Sequence, residues 1–184
     1  IEAAAGTPRN QLLTEEFANP LGMKYTRFRD SAAVAALPPL PTRYYRGDKG
    51  ELKVYDGLPV PSTNTYSSSG GSIISTATDL AQWLAMIRNR GLHRGDSFLS
   101  TKAIQEMLTP VSPGNRTRGG FAILRVDDHG TALAIVHSGS SGTYCWLDFQ
   151  TDVIGILLTQ TKGSDIKTFR LELVQKVNAC LAEK

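Results

Sequence analysis

The 184-residue chain has little net charge and no long apolar run. Lys and Arg number 20 against 17 Asp and Glu, which gives a formal charge of +3, and the basic residues are scattered. So small an excess is not typical of a protein that binds nucleic acid or a membrane surface. No apolar stretch approaches the roughly 20 residues that cross a bilayer. We therefore expect neither a nucleic-acid partner nor a membrane span.

Cysteine and histidine are also scarce. The two cysteines, Cys145 and Cys180, are too few for a disulfide framework and lack metal-binding spacing, so we expect two buried free thiols. The three histidines, His93, His129 and His137, are far apart in the sequence and predict no metal site. We expect no metal and no organic cofactor.

The first residues do not form a targeting signal. Ile1 to Gly6 lack both a basic start and a long apolar core, and the chain does not begin with Met. We therefore expect a processed or truncated piece of a longer protein. Its length suits one domain, over residues 1–184, or a large part of one.

Helical periodicity and capping residues mark several segments. Thr76 and Asp79 approximate a capping box, and Gly91 closes the apolar pattern that follows. Gly6 and Asn19-Pro20 are expected to stop two earlier helices. The predicted helices are Ile1 to Ala5, Thr7-Pro8 to Asn19, Thr76 to about Gly91, Ser100 to Leu108, and Ser164 to Leu181. The last carries an apolar stripe of Ile166, Phe169, Leu173, Val174 and Val177.

The last third of the chain changes to the pattern of strands. Short turns separate these strands, which favours antiparallel neighbours. The predicted strands are Gly119 to Val126, Ala132 to His137, Gly142 to Leu147 and Val153 to Gln160, with two shorter ones at Arg43 to Tyr45 and Leu52 to Tyr55. We expect an α+β fold in which the last helix covers one face of the sheet and the helix from Thr76 part of the other.

The stretch His137-Ser138-Gly139-Ser140 ends one predicted strand and permits two interpretations. It is ordinary turn chemistry, or it is the open edge of a strand that a substrate approaches closely. In the second case free N–H groups bind an oxyanion, and the imidazole binds a carboxylate or moves a proton. The residues alone leave both interpretations open.

Four segments, in order along nearly the whole chain, resemble one family. They are Ile1 to Gly6 with Pro20-Leu21-Gly22-Met23 and Thr26-Arg27-Phe28, then Ser69-Gly70-Gly71 to Leu80, then His137-Ser138-Gly139, then Trp146-Leu147-Asp148 leading into Val153 to Gln160. The chain resembles the C-terminal half of the serine β-lactamase and penicillin-binding-protein-like hydrolases, in their class C β-lactamase, DD-peptidase and esterase branch.

This resemblance implies roles for the matching positions. The fold would be β-lactamase/transpeptidase-like, an antiparallel sheet flanked by helices. His137 takes the place of the motif lysine and Ser138 that of the threonine. Gly139 keeps the strand open to substrate, and the Ser140 N–H is one of two oxyanion donors. His137 and Ser140 are thus the implied catalytic residues, and Ser138 and Gly139 the implied substrate-binding residues.

The family's nucleophile motif is missing from this chain in the expected place. Ser164-Asp165-Ile166-Lys167 fits Ser-x-x-Lys, but it follows the His-Ser-Gly strand instead of preceding it. Tyr66-Ser67-Ser68 does not match the second motif, Tyr-x-Asn. We therefore expect half of an active site, completed by the N-terminal half of the same domain, which could be a separate chain.

The implied activity is acyl-serine hydrolysis of a β-lactam, a D-amino-acid peptide, as in a carboxypeptidase, or a small ester. The usual location of this family implies a bacterial periplasmic or secreted protein, and a cytoplasmic location is the alternative. One alternative is a non-catalytic module that binds a peptide or cell-wall fragment. Another is a structural α+β domain without a site.

Overall fold

The computed structural model describes residues 1–29, 38–55, 72–111, 115–162 and 165–182. Within these residues the helices are α1 (Glu2–Ala5), α2 (Arg9–Leu13), α3 (Asn19–Leu21), α4 (Ala77–Arg88), α5 (Thr101–Leu108) and α6 (Asp165–Ala182). A π-helical turn, Thr14–Ala18, joins α2 to α3.

The strands of the described residues are β1 (Arg27–Phe28), β2 (Tyr44–Arg46), β3 (Leu52–Val54), β4 (Ile73–Ile74), β5 (Leu92–His93), β6 (Asp96–Ser97), β7 (Pro110–Val111), β8 (Arg116–Thr117), β9 (Ala122–Val126), β10 (Ala132–Ser138), β11 (Tyr144–Asp148), β12 (Val153–Leu157) and β13 (Thr161–Lys162). The main sheet has the order β12-β11-β10-β9-β8-β7, and its neighbours are antiparallel. This meander of four long strands and two short ones confirms the α+β prediction.

The two faces of the sheet pack against different helices. Val136, Tyr144 and Trp146 form one buried cluster with Leu173, Val174 and Val177 of α6. Ile135 and Leu147, on the opposite face, belong to a larger core that includes Leu84 and Ile87 of α4. Successive side chains of a strand point to opposite faces, and the predicted placement of the last helix on one face and the helix from Thr76 on the other is confirmed.

A glycine in the outer strand makes room for the largest side chain of the α6-facing cluster. Gly155 of β12 is the register partner of Trp146 in β11. A Cβ built on Gly155 would overlap the Trp146 indole ring, and the tryptophan is 4% exposed. The indole therefore lies flat across its neighbouring strand, and the cluster closes beneath α6.

The start of α4 is tied to the segment that precedes β1. Thr76 Oγ1 accepts a hydrogen bond from Asp79 N at 3.2 Å, as the capping pattern predicts. The buried Asp79 carboxylate also accepts from Tyr25 N at 2.7 Å and from Thr26 Oγ1 at 2.8 Å. These bonds hold the Pro20–Phe28 segment against α4, where a carboxylate also complements the helix dipole.

Two predictions about helices are wrong in detail. The early helical segment does not stop at Asn19-Pro20 but continues to Leu21 and ends at Gly22, whose φ is +69°. Proline sits in the first turn of α3, after the π-turn, and its missing N–H is tolerated there. Phe169 does not join the buried stripe of α6 but is 48% exposed.

The described helices include none that is both long and apolar enough to cross a membrane. Three parts of the sequence patterns lie outside the described residues, namely Ser69-Gly70-Gly71, Tyr66-Ser67-Ser68 and Ser164.

Candidate active-site strand

Strand β10 runs past the end of its neighbour β9. The register of β10 with β9 ends at the pair Val136 and Ala122, whereas its register with β11 continues to the pair Ser138 and Tyr144. Strand β10 as a whole lies inside the sheet, between β9 and β11. Among the described residues, no strand pairs with the β9 side of its last residues, from His137 onward, so these have an open edge.

This open edge arises because β9 turns toward β8. The Phe121 carbonyl, just before β9, accepts a hydrogen bond from Thr117 N at 2.9 Å, so it is directed away from β10. On the other side, Gly139 N donates to the Thr143 carbonyl at 2.9 Å. Backbone groups of alternate residues point to opposite sides of an antiparallel strand. Gly139 thus faces β11, and Ser138 presents its N–H and C=O to the open edge.

The turn that follows has a three-residue loop, Ser140-Ser141-Gly142. Gly142 N donates to the Gly139 carbonyl at 3.2 Å, and Gly142 has a φ of +90°. A turn closed by a left-handed glycine is a common three-residue hairpin connection. Within the described part of the chain, the exposed Ser140 has an N–H that donates to no backbone carbonyl. Ser140 therefore lies at the end of the open edge with its N–H available.

His137 and Ser138 are both exposed but lie on opposite faces of β10. His137 shares its face with Ile135 and stands edge-on to Phe121, with ring centroids 6.5 Å apart. Ser138 shares its face with Val136, toward α6. A ligand along the open edge lies between the two faces, where side chains from either can reach it.

Gly139 leaves no room for a side chain. A Cβ built there would overlap Thr143 Oγ1, so a larger residue would push Thr143 aside and disturb the turn. The structure therefore brings His137, Ser138, Gly139 and Ser140 together at one end of β10. Lys167, the last residue of the sequence that fits Ser-x-x-Lys, lies in the first turn of α6, which begins at Asp165.

Cys145 is the register partner of His137. Burial raises the pKa of its thiol above the ordinary value, and a hydrogen bond from the His137 backbone opposes this rise. The thiol is therefore protonated at neutral pH and is a poor nucleophile. Both cysteines are free, as predicted, but the prediction that both are buried is wrong, because Cys145 is half-buried and Cys180 is exposed.

An arginine of α6 binds the turn, and sequence reasoning missed it. Arg170 Nη2 donates to the Gly139 carbonyl at 2.6 Å and to the Thr143 carbonyl at 3.0 Å, and Arg170 Nε donates to the Gly142 carbonyl at 3.2 Å. The guanidinium also lies over the Tyr144 ring, 5.5 Å from its centroid. Carbonyl groups have no side-chain signature, so only the gap that Arg170 leaves in the apolar pattern of α6 hinted at it.

A second set of contacts holds the middle of the turn. Thr159 Oγ1 donates to the Ser141 carbonyl at 2.9 Å, and Thr161 N donates to the same oxygen at 3.1 Å. The carbonyls of Gly139, Ser141, Gly142 and Thr143 are thus all hydrogen-bonded. Residues 18 to 31 positions later in the chain supply most of these donors.

Other chemistry is sparse in this region. Among residues 1–29, 38–55, 72–111, 115–162 and 165–182, no three His, Cys, Asp or Glu side chains lie close enough together to hold a metal ion. Asp148 of β11 forms an ion pair with Arg125 and accepts hydrogen bonds from Gln150 N and Thr151 N. These contacts stabilise the β11–β12 turn, at the opposite end of β11 from the open edge.

The structure is similar to solved structures of hydrolases. A candidate beta-lactamase from Bacteroides dorei DSM 17855 is 23% identical, with a TM-score of 0.57, and the match covers 89% of this chain and 46% of that one. The octameric penicillin-binding protein homologue from Pyrococcus abyssi is 21% identical, with a TM-score of 0.61 and coverage of 95% and 39%. EstCE1, a hydrolase with promiscuous acyltransferase activity, is 20% identical, with a TM-score of 0.62 and coverage of 88% and 48%.

The chain thus spans less than half the length of these three structures. At such identities the likeness shows the fold. No protein of curated function matches the chain in sequence. The family model named Beta-lactamase, however, matches residues 1–179. Together with the antiparallel sheet, its two helical layers and the His-Ser-Gly strand end, this match places the chain in the beta-lactamase family.

Proposed function

We propose that this chain is the C-terminal portion of a β-lactamase-like serine hydrolase and contributes one wall of its active site. The observation that carries the proposal is the end of β10, where the strand outruns β9 and the Ser140 N–H is left without a backbone acceptor in the described chain. Such an edge binds a substrate carbonyl beside the strand. The membership in the beta-lactamase family supports the same chemistry.

The reaction is acyl transfer through a serine that the N-terminal half of the domain supplies. The serine oxygen attacks the substrate carbonyl carbon and forms a new C–O bond, while its proton passes to a base in that half. The carbonyl oxygen becomes an oxyanion, to which the Ser140 N–H donates. Collapse breaks the bond to the amine or alkoxide, which takes the proton. Water then repeats the sequence on the acyl-serine and releases the acid.

The residues before Ser140 bind and orient the substrate in this proposal. His137 binds a substrate carboxylate or helps to move a proton, and Ser138 donates from its hydroxyl at the same edge. Gly139 keeps the backbone close to the substrate, since a side chain there would displace Thr143. Both residues that flank the glycine are exposed, as a binding edge requires.

The substrate is an amide, a β-lactam or an ester. One neighbouring structure is described as a penicillin-binding protein homologue and another as a hydrolase with promiscuous acyltransferase activity, and these names support this range. The N-terminal half is the partner that completes the site, within the same chain or as a second one. The family's usual setting favours a bacterial periplasmic or secreted location over the cytoplasm.

The test is covalent labelling of the whole protein that carries this chain. The protein is incubated with a carboxylate-bearing β-lactam and, separately, with a neutral activated ester, and the adducts are located by peptide mass spectrometry. We expect an acyl group on a serine of the N-terminal half. In the variant His137→Ala, acylation by the β-lactam should slow about tenfold or more, while the neutral ester is affected less, because a hydrogen bond to a charged group is lost.

Three outcomes contradict parts of the proposal. Equal slowing with both probes would refute carboxylate binding by His137. An adduct on Ser138 or Ser164 would refute the assignment of the nucleophile to the other half. A folded protein that is acylated on no serine would favour the alternative, a non-catalytic module that holds a peptide or cell-wall fragment along the same edge.

A further inference from the structure

The turn after β10 is held by the side chain of Arg170, a residue of α6. Arg170 donates three hydrogen bonds, at 2.6, 3.0 and 3.2 Å, to the carbonyls of Gly139, Thr143 and Gly142. These oxygens flank Ser140 on both sides in the sequence. Hydrogen bonds from a charged donor are roughly twice as strong as neutral ones, so the strongest contacts of the turn come from this one residue.

Arg170 is held in place because its helix, α6, packs against the sheet. Leu173, Val174 and Val177 pack this helix against the buried cluster of Val136, Tyr144 and Trp146. The guanidinium lies over the Tyr144 ring, 5.5 Å from its centroid, which is within the range of a cation–π contact. Burial raises the pKa of the Tyr144 phenol, and the Arg170 charge opposes this rise. The phenol thus stays neutral beneath the cation.

The arrangement binds most carbonyls of the turn and leaves the Ser140 N–H for a ligand. Arg170 and Gly139 N bind the carbonyls at the two ends of the turn, and Thr159 Oγ1 and Thr161 N bind the Ser141 carbonyl. In the described chain the Ser140 backbone has no such partner. Fixing the neighbours of a free N–H sets the direction in which it points, which is what an oxyanion donor needs.

We propose that Arg170 is a positioning residue, which holds the Gly139–Thr143 turn so that the Ser140 N–H is directed along the open edge. This role rests on the proposed hydrolase function. The fork of the guanidinium is essential to it, because Nε and Nη2 donate to different carbonyls of the turn. Lysine would keep the charge but present a single flexible point of donation.

The test compares three variants of the whole protein, Arg170→Met, Arg170→Lys and the control Arg88→Met. The control variant also removes contacts of an arginine, namely the ion pair of Arg88 with Asp152, but this pair lies at the half-exposed end of α4. The first measurement is amide hydrogen exchange over residues 139–143, read at Gly139 and Gly142, whose N–H groups are hydrogen-bonded within the turn. We expect exchange there to become about tenfold faster or more in Arg170→Met, since hydrogen bonds to a charged group are lost, with an intermediate value in Arg170→Lys and no change in Arg88→Met.

The second measurement separates kcat from KM for a hydrolysed ester. A displaced oxyanion donor weakens the transition state more than the bound substrate, so kcat should fall about 10-fold to 100-fold in Arg170→Met with KM nearly constant. General loss of stability would also lower the apparent kcat at constant KM, so the folded fraction of each variant is measured by urea unfolding and kcat is expressed per folded protein. Arg170→Lys, which keeps the charge, provides the same measurement if the methionine variant does not fold.

Unchanged exchange over residues 139–143 in both Arg170 variants would overturn the proposal. So would faster exchange in an active enzyme whose kcat is unaffected. An inactive wild-type protein would refute the hydrolase function instead, and the exchange data alone would then decide whether Arg170 holds the turn.

Discussion

The two turns at the ends of β10 are held in different ways. In the β9–β10 turn, Asp127 Oδ1 accepts hydrogen bonds from His129 N at 2.9 Å and Thr131 N at 2.8 Å. Each donor lies within four residues of the aspartate. In the β10–β11 turn, Arg170 and Thr159 bind carbonyl oxygens from 18 to 31 positions away.

This difference separates a turn that only reverses the chain from a turn whose position matters. The Asp127 turn carries its own contacts and forms wherever the two strands meet. The Gly139–Thr143 turn is shaped by the layer behind it, so its geometry belongs to the tertiary structure. The second turn ends beside the open edge of β10. Matched substitutions in the two turns should therefore differ in their effect on stability.

The largest expected difference is at the left-handed glycine of each turn. Gly142 has a φ of +90°, and a Cβ there would overlap Thr159 Oγ1 and lie 2.9 Å from Ile166 Cγ1, whereas a Cβ on Gly130, with a φ of +78°, would meet nothing within 4 Å. We expect Gly142→Ala to lower the free energy of unfolding by about 2–4 kcal/mol, through backbone strain and overpacking. Gly130→Ala should lower the free energy of unfolding by about 1–2 kcal/mol, through backbone strain alone.

Urea unfolding of the two variants measures both losses. The alanine at position 130 is the matched control, since both glycines adopt positive φ in hairpins of the same sheet. Equal losses would mean that the space around Gly142 yields easily and that the outer layer does not constrain the turn.

A smaller difference is expected at one threonine of each turn. Thr159→Val removes the hydroxyl that donates to the Ser141 carbonyl at 2.9 Å and should lower the free energy of unfolding by about 1 kcal/mol. The loss is limited because Thr161 N still binds that oxygen. Thr131→Val keeps the backbone bond from Thr131 N to Asp127 and removes only an exposed side-chain contact. A loss in Thr131→Val as large as in Thr159→Val would contradict the distinction between the turns.

The smallest expected difference is in how the contacts of each turn depend on pH. The backbone hydrogen bond from Thr131 is the largest of the contacts that hold the pKa of Asp127 below its ordinary value of 3.8. Because the folded pKa is lowered, the stabilisation is present above the ordinary value and is lost as the pH falls through the folded pKa. Arginine keeps its charge throughout this range, so the Gly139–Thr143 turn has no such dependence.

Amide chemical shifts between pH 6 and pH 3 report on both turns. We expect the His129 and Thr131 amides to move as Asp127 is protonated, and the Gly139 and Gly142 amides to stay in place. Asp127→Asn should abolish the first movement. If the Gly142 amide titrates together with Thr131, the two turns are coupled through β10 and the comparison fails.

Most of the fold could be predicted because its signals are local. Thr76 caps α4 as expected, and Cys145 and Trp146 alternate between the two faces of the sheet. The short turns of the last third predicted antiparallel pairing, which the register confirms. Where periodicity and turn chemistry decide the structure, the sequence was sufficient.

The errors arise where tertiary contacts decide. Pro20 looked like the end of a helix, but the π-turn before it allows a further turn that ends at Gly22. The sequence could not show where the open edge of β10 begins, because that depends on β9 ending its pairing at Val136. Arg170 could not be assigned at all, because its partners are backbone carbonyls. The predicted roles of His137, Ser138, Gly139 and Ser140 stay predictions, although the structure puts these residues at one open strand end.

The distant donors of the Gly139–Thr143 turn also have a consequence for biosynthesis. A ribosome adds roughly 5–20 residues per second, so the segment from Gly139 to Arg170 takes on the order of seconds to synthesise. Until α6 has emerged and docked, the carbonyls of Gly139, Gly142 and Thr143 lack the guanidinium that binds them in the folded chain. A nascent chain cut off before residue 170 can therefore have its strands paired and still lack the shaped turn. The candidate site is among the last parts of this chain to be completed.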